Sequence, residues 1–131
     1  MKKDIENIDD VKLLIDSFYK KVVKDETIGY FFNEVVKLDW DKHIPVMYQF
    51  WDTVLFGSMS YKGSPIMKHI EMDKKSKLER HHFEQWVRLW KQTVDELFAG
   101  TKAEEAKERV TMMQELMLYK IEQSRNSGFV Q

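Results

Sequence analysis

Four stretches of this chain repeat their apolar residues at the period of an α-helix, and none alternates them at the period of a strand. The first runs over 11–23 with Val11, Leu14, Ile15, Phe18, Tyr19, Val22 and Val23 on one face, and Asp9 or Asp10 is placed to cap it. The second follows a cap at Asp39, carries Ile44, Met47, Phe50, Trp51, Val54 and Leu55, and ends at Gly57. The third presents Phe83, Trp86, Val87, Trp90, Val94, Leu97 and Phe98 and closes at Gly100; the fourth turns Ala106, Val110, Met113, Met117 and Ile121 inward. Ser76-Lys77-Leu78-Glu79 and Thr101-Lys102-Ala103-Glu104 read as capping boxes for these last two. Two short pieces complete the pattern. Residues 28–32 form one tight helical turn, and Ser64-Pro65 opens a short helix from 65 to about 71, with proline where its missing N–H costs nothing. Both prolines, Pro45 and Pro65, fall at helix edges in this reading. Residues 57–64 and Lys74-Lys75-Ser76-Lys77 are solvated loops. The fold class is all-α, with four substantial helices and two short ones.

At 131 residues the chain is one domain, 1–131, with 1–8 and 125–131 expected to fray. Aromatics make up 13%, so large flat surfaces are buried. Lys+Arg 21 against Asp+Glu 22 leaves a net charge of -1, which argues against nucleic acid or an anionic membrane surface as partner. The absence of cysteine excludes disulfides, thiolate zinc, cysteine nucleophiles and thioether attachment of a haem. No apolar run approaches a membrane span, and the polar, acidic N-terminus does not read as a signal peptide, so a cytoplasmic protein is expected. No long exposed apolar face is evident, which points to a monomer. The glycines are scattered rather than gathered into a phosphate loop, and His-Glu-x-x-His is absent.

The histidines carry what chemistry the residues suggest. His43 shares a helical face with Met47 and Phe50. A histidine at the edge of the core, hydrogen-bonded to a polar group, is the plain reading. His69 sits in the short helix after Pro65, where little area is available to bury it. It is either a surface residue or an axial metal ligand whose second ring nitrogen donates to a carbonyl or water. His81 and His82 are adjacent, lack the i, i+4 spacing of two ligands on one face, and read as structural.

Asp10 to Phe18-Tyr19, Asp25-x-x-Ile28-Gly29-x-x-Phe32, Trp40-x-x-His43, Phe50-Trp51, Tyr61-x-Gly63-x-Pro65-x-x-x-His69 and Phe83-x-x-Trp86 occur in that order. Together they resemble the truncated haemoglobin family, over residues 9 to about 121. The absence of Gly-Gly pairs at the helix junctions resembles its group III. The resemblance implies a two-over-two helical sandwich around a non-covalent haem b. It implies His69 as the proximal ligand to iron, and Tyr19 and Trp86 as distal donors that would also be the catalytic residues. It places His43 at the pocket entrance, Met47 on the same wall, and Phe50 and Trp51 against the haem and core. Tyr61 and Lys68 are the expected partners of its propionates.

The ligands implied are O2, NO and CO. A hydrogen bond to a charged acceptor is worth roughly 1.5–3 kcal/mol, and about 1.4 kcal/mol is tenfold. Two such donors would slow ligand loss by about a hundredfold or more, which suits redox chemistry on the ligand better than bulk O2 transport. Peroxidase-like or NO-dioxygenase-like turnover, supplied by an unidentified reductase, is the enzymatic form of that expectation. Two rivals stand beside it: a haem-dependent peroxidase, and a haem-free helical interaction domain in which His69 is a surface residue and the aromatic stripe is ordinary core.

Overall fold

The computed structural model describes residues 2–35, 39–61, 63 and 65–127, without the side chains of 66 and 127. Five α-helices follow one another: α1 (Ile8–Val22), α2 (Trp40–Phe56), α3 (Pro65–Lys75), α4 (Arg80–Leu97) and α5 (Thr101–Ser127). One π-helical turn (Phe31–Val35) lies between α1 and α2. No strand occurs among the described residues. Helix α1 packs on α2, α4 packs on α5, and contacts of α1 with α4 and of α2 with α5 join the pairs. That is the expected two-over-two sandwich. Helix α3 packs mainly on α5 and the π-turn, with His69 near Phe83 of α4.

The helical periods translate directly into the core. Val11, Leu14, Ile15, Phe18, Tyr19 and Val22 of α1 are all buried, as are Phe83, Val87, Trp90 and Val94 of α4 and Ala106, Val110, Met117 and Ile121 of α5. Trp90 is fully buried at the crossing, stacked on Trp51 at 4.2 Å and met edge-on by Phe18 at 5.1 Å.

The helix ends differ from the expected ones, each for a local reason. Asn7 caps α1 by accepting from the Asp10 N–H at 3.1 Å, while the Asp10 carboxylate turns back to accept from Lys3 Nζ and the Glu6 N–H. Asp39 does precede α2, but its side chain makes no capping bond; its carbonyl accepts from Lys42 and His43 N–H instead. That starts the helix five residues ahead of Pro45, which is therefore interior and removes one helical hydrogen bond. Gly57 closes α2 in the left-handed conformation, φ 70°, as expected. Ser64 lies outside the described residues.

Helix α3 is longer than the sequence suggests. It runs through Lys74 and Lys75, so that half of the expected loop is a last helical turn, with positive charge at the favourable end of the helix, while Ser76 and Lys77 stay outside it as expected. Neither Ser76 nor Thr101 caps its helix. The Ser76 hydroxyl bonds the Tyr30 hydroxyl. Helix α4 starts after Glu79, whose N–H donates to His82 Nδ1 at 2.9 Å. Gly100 precedes α5 rather than closing α4, which ends at Leu97.

The cap of α5 comes from the other end of the chain. The Asp4 carboxylate accepts from the N–H groups of Lys102 and Ala103, both at 2.9 Å. Gly100 allows this: its φ of 141° suits glycine, and a Cβ there would stand 2.6 Å from Asp4 Cγ. Ala99 N–H donates to the Lys3 carbonyl and Ile5 is buried in the core. The segment expected to fray is thus tied down at 3–7. At the other end, Arg125 is still helical and pairs with Asp73. Helix α5 also exposes Met112, Leu116 and Tyr119 on successive turns, so the premise for expecting a monomer, the lack of an exposed apolar face, does not hold.

Asp4→Ala should cost about 1–2 kcal/mol, the worth of a helix cap, in denaturant unfolding. Burial alone would raise the Asp4 pKa, but the N–H groups of Lys102, Ala103 and Ile5 outweigh it and hold the carboxyl below its usual value. The carboxylate's contribution is therefore present above the unfolded-state value of about 4 and is lost as pH falls through the lower folded value. The difference between wild type and Asp4→Ala should shrink on acidification over that window.

Candidate functional site

Between the α1–α2 layer and α3 lies a cavity of about 480 Å³, within the range that encloses a small organic ligand. It is lined by every residue singled out in the sequence: Tyr19, His43, Met47, Phe50, Trp51, Tyr61, Lys68, His69 and Trp86. Helix α1 supplies Tyr19, α2 supplies His43 to Trp51, α3 supplies Lys68 and His69, and α4 supplies Trp86.

His69 Nδ1 lies 2.6 Å from the Pro65 carbonyl oxygen one turn earlier. A carbonyl only accepts, so Nδ1 carries the proton and Nε2 keeps its lone pair. The ring is also packed near Phe83, at 5.9 Å. Burial pushes the His69 pKa down and outweighs the Pro65 bond, which pulls it up, so the imidazole is neutral at pH 7. Helix α3 therefore presents a neutral, oriented nitrogen base to the cavity wall.

The facing wall is polar only at a few atoms. The Tyr19 hydroxyl and the Trp86 indole N–H have no hydrogen-bond partner among the described residues, although both side chains line the cavity. Burial raises the Tyr19 pKa, so the group stays a neutral O–H donor. His43 does not have the polar partner expected of a core-edge histidine: its Nε2 is buried and unpaired among the described residues. Burial, and secondarily the proximity of His69, lower the His43 pKa. The floor is aromatic, with Phe50 edge-on to Trp51 at 5.5 Å and to Tyr61 at 5.0 Å. Charged residues gather in the lining as well: Lys42, Lys68 and Lys75, with Asp39 and Glu71.

Several lining residues were not singled out in the sequence. Met113 and Met117 belong to the inward face of α5, but nothing in the pattern separates a cavity wall from core. Met72 and Lys75 are brought in because α3 continues past 71, and Phe32, present in the sequence only as a motif residue, lines the cavity as well. His82 stays outside the main cavity, its ring against Phe31 at 4.7 Å, and is structural as expected. Among the described residues no cluster of three or more His, Asp or Glu side chains suited to a bare metal ion occurs.

Residues 5–119 match the family model of bacterial-like globins. Over 98 residues the chain is 29% identical to the group 3 truncated haemoglobin of Campylobacter jejuni, covering 72% of this chain and 75% of that protein. The crystal structure of the group III truncated haemoglobin from Campylobacter jejuni is similar in fold, with a TM-score of 0.80 and 25% identity. That likeness covers 92% of this chain and 95% of the solved one.

The buried neutral His43 has a consequence for acid stability in the haem-free protein. Its folded pKa is below the ordinary 6.5, so the unfolded chain binds more protons as pH drops, and stability must fall below about pH 6.5. His69 and His82 are shifted in the same direction and contribute to the slope. His43→Leu should flatten the loss of stability between about pH 7 and the folded pKa. An unchanged slope in urea unfolding would show that His43 takes a proton as easily in the fold as in water.

Proposed function

Because the chain belongs to the bacterial-like globin family, we propose that it holds a non-covalent haem b on His69 and presents Tyr19, Trp86 and His43 to a diatomic gas, O2, NO or CO. The observation that carries this reading is that one cavity is lined both by an oriented, neutral imidazole on α3 and by donors of α1 and α4 that have no partner among the described residues.

Haem iron supplies a coordination position for such a gas and exchanges electrons with it. The residues supply the rest. His69 Nε2 is the free base available to hold the iron, and the Pro65 carbonyl fixes its ring plane and raises its basicity. Met47, Phe50 and Trp51 line an apolar wall suited to a flat macrocycle and exclude water from it. Lys68 and Tyr61 belong to the lining and would meet its carboxylates, with Lys42 of α2 and Lys75 of α3 as further cations bordering the cavity.

Tyr19 O–H and Trp86 N–H are obligate or ready donors, and among the described residues no acceptor competes for them. A gas that becomes partly negative on one end is the acceptor they lack. Tight retention by two donors favours redox handling of the ligand over its transport, with electrons from a reductase.

His69→Ala in purified protein supplied with haem should weaken or change the Soret band and its response to reduction and CO. A Soret spectrum identical in wild type and His69→Ala would overturn the assignment of the ligand. Tyr19→Phe should raise the O2 dissociation rate about tenfold or more, the loss of one charge-assisted hydrogen bond. Stopped-flow displacement by CO measures it.

A further inference from the structure

Tyr19 and His43 face the cavity without any polar tether. The Tyr19 hydroxyl has no hydrogen-bond partner among the described residues, and His43 Nε2 is buried and unpaired. Side chains whose polar ends are free take their direction from packing alone. The rings around them are therefore what aims them.

Trp40 is the first residue of α2 and does not line the cavity. Its ring meets Tyr19 at 5.5 Å and 62°, and His43 at 5.7 Å and 76°. Tyr19 and His43 meet each other at 5.5 Å and 83°. The three rings close a triangle of edge-to-face contacts, the arrangement that aromatic quadrupoles favour. Phe32 backs it, stacked on Trp40 at 5.9 Å and edge-on to Tyr19 at 6.0 Å, but it does not reach His43. Among the described residues Trp40 is thus the ring outside the cavity that touches both.

We propose that Trp40 is a positioning residue for the gas site: it fixes the directions of Tyr19 and His43 together, and through them the donor field at the ligand. The proposal rests on the reading of the cavity as a haem–gas site and adds a residue to it. The backbone holds His43 from the same turn: the carbonyl of Asp39, the residue before Trp40, starts α2 by accepting from the His43 N–H at 2.9 Å. Side-chain packing and backbone thus fix His43 from the same turn.

The test uses ferrous, CO-bound protein as wild type, Trp40→Leu and Trp40→Phe, with Tyr19→Phe as reference. Leucine keeps bulk but has no ring; phenylalanine keeps a ring edge. The readouts are the CO stretching band, which reports the donor field, the O2 dissociation rate and the melting temperature. Trp40→Leu should split or shift the CO band and raise the O2 dissociation rate about tenfold, toward that of Tyr19→Phe. Trp40→Phe should restore most of both. In the Tyr19→Phe background, Trp40→Leu should raise the dissociation rate by less than it does in wild type, because only its hold on His43 is left to lose.

A purely structural role would lower the melting temperature of Trp40→Leu while leaving the CO band and the rate as in wild type, and that outcome overturns the proposal alone. A wild type with no His69-dependent Soret band overturns the haem reading and this proposal with it.

Discussion

The structure turns on one side chain. Trp90 is fully buried, stacks on Trp51 of α2, takes the edge of Phe18 of α1, and donates its indole N–H to the Ala106 carbonyl of α5 at 3.1 Å. All four long helices are thereby referenced to a single ring. Its loss would leave a void, a cost on the order of 3–5 kcal/mol. The cavity inherits its geometry from that stack. Tyr19 follows Phe18, Met47 lies one turn before Trp51, and Trp86 lies one turn before Trp90. Each core ring thus has a helical neighbour on the cavity wall, and the wall is as rigid as the core behind it.

The opposite wall is assembled differently. Among the described residues the backbone of α3 packs on α5 and the π-turn and not on α2, and the cavity lies between α2 and α3. What holds α3 is polar and peripheral. Arg125 binds the Asp73 carboxylate and the Leu78 carbonyl, Asp73 accepts from the Leu78 N–H at 2.8 Å, and Tyr30 bonds Ser76. Ile70 adds an apolar anchor in a second cluster with Phe31, Leu78, Phe83, Met117 and Ile121. A histidine carried on such a wall is aimed locally, by the Pro65 carbonyl within its own helix, rather than by the main core.

Much of this was legible in the sequence because periodicity reports burial directly. Val11 to Val22 of α1 and Phe83 to Val94 of α4 are core in fact as in pattern. The cavity residues were legible through the order of their motifs, not through spacing, which says nothing of which buried face borders a void. Helix ends were less legible. Asp4 caps a helix nearly a hundred residues away, and no local signal marks that. Thr101 and Ser76 carry capping sequences that tertiary contacts override. Pro45 looked terminal because proline normally is, yet the start at Asp39, which the sequence itself offered, leaves it inside α2. Trp40 was visible as a motif residue, but ring-on-ring positioning has no sequence signature.

The charges of the cavity lining make a further point about how a guest would be oriented. Elsewhere the chain pairs its partly buried lysines: Lys21 with Glu96, Lys102 with Glu105, Lys107 with Asp95 and Glu104. Lys42, Lys68 and Lys75 have no ion pair among the described residues, yet all three border the cavity together with Asp39 and Glu71. Ammonium groups are strongly hydrated and stay near water, while the Phe50, Trp51 and Trp90 side of the same cavity is apolar. An amphipathic guest is therefore sorted by end, its anionic groups toward the lysines and its apolar body toward the tryptophans. Lysine suits that task because a point charge on a flexible stem tolerates variation in where a carboxylate falls, whereas a guanidinium fork would demand one geometry. If that guest is a haem, these lysines would set its orientation and His69 Nε2 would be left to attach it.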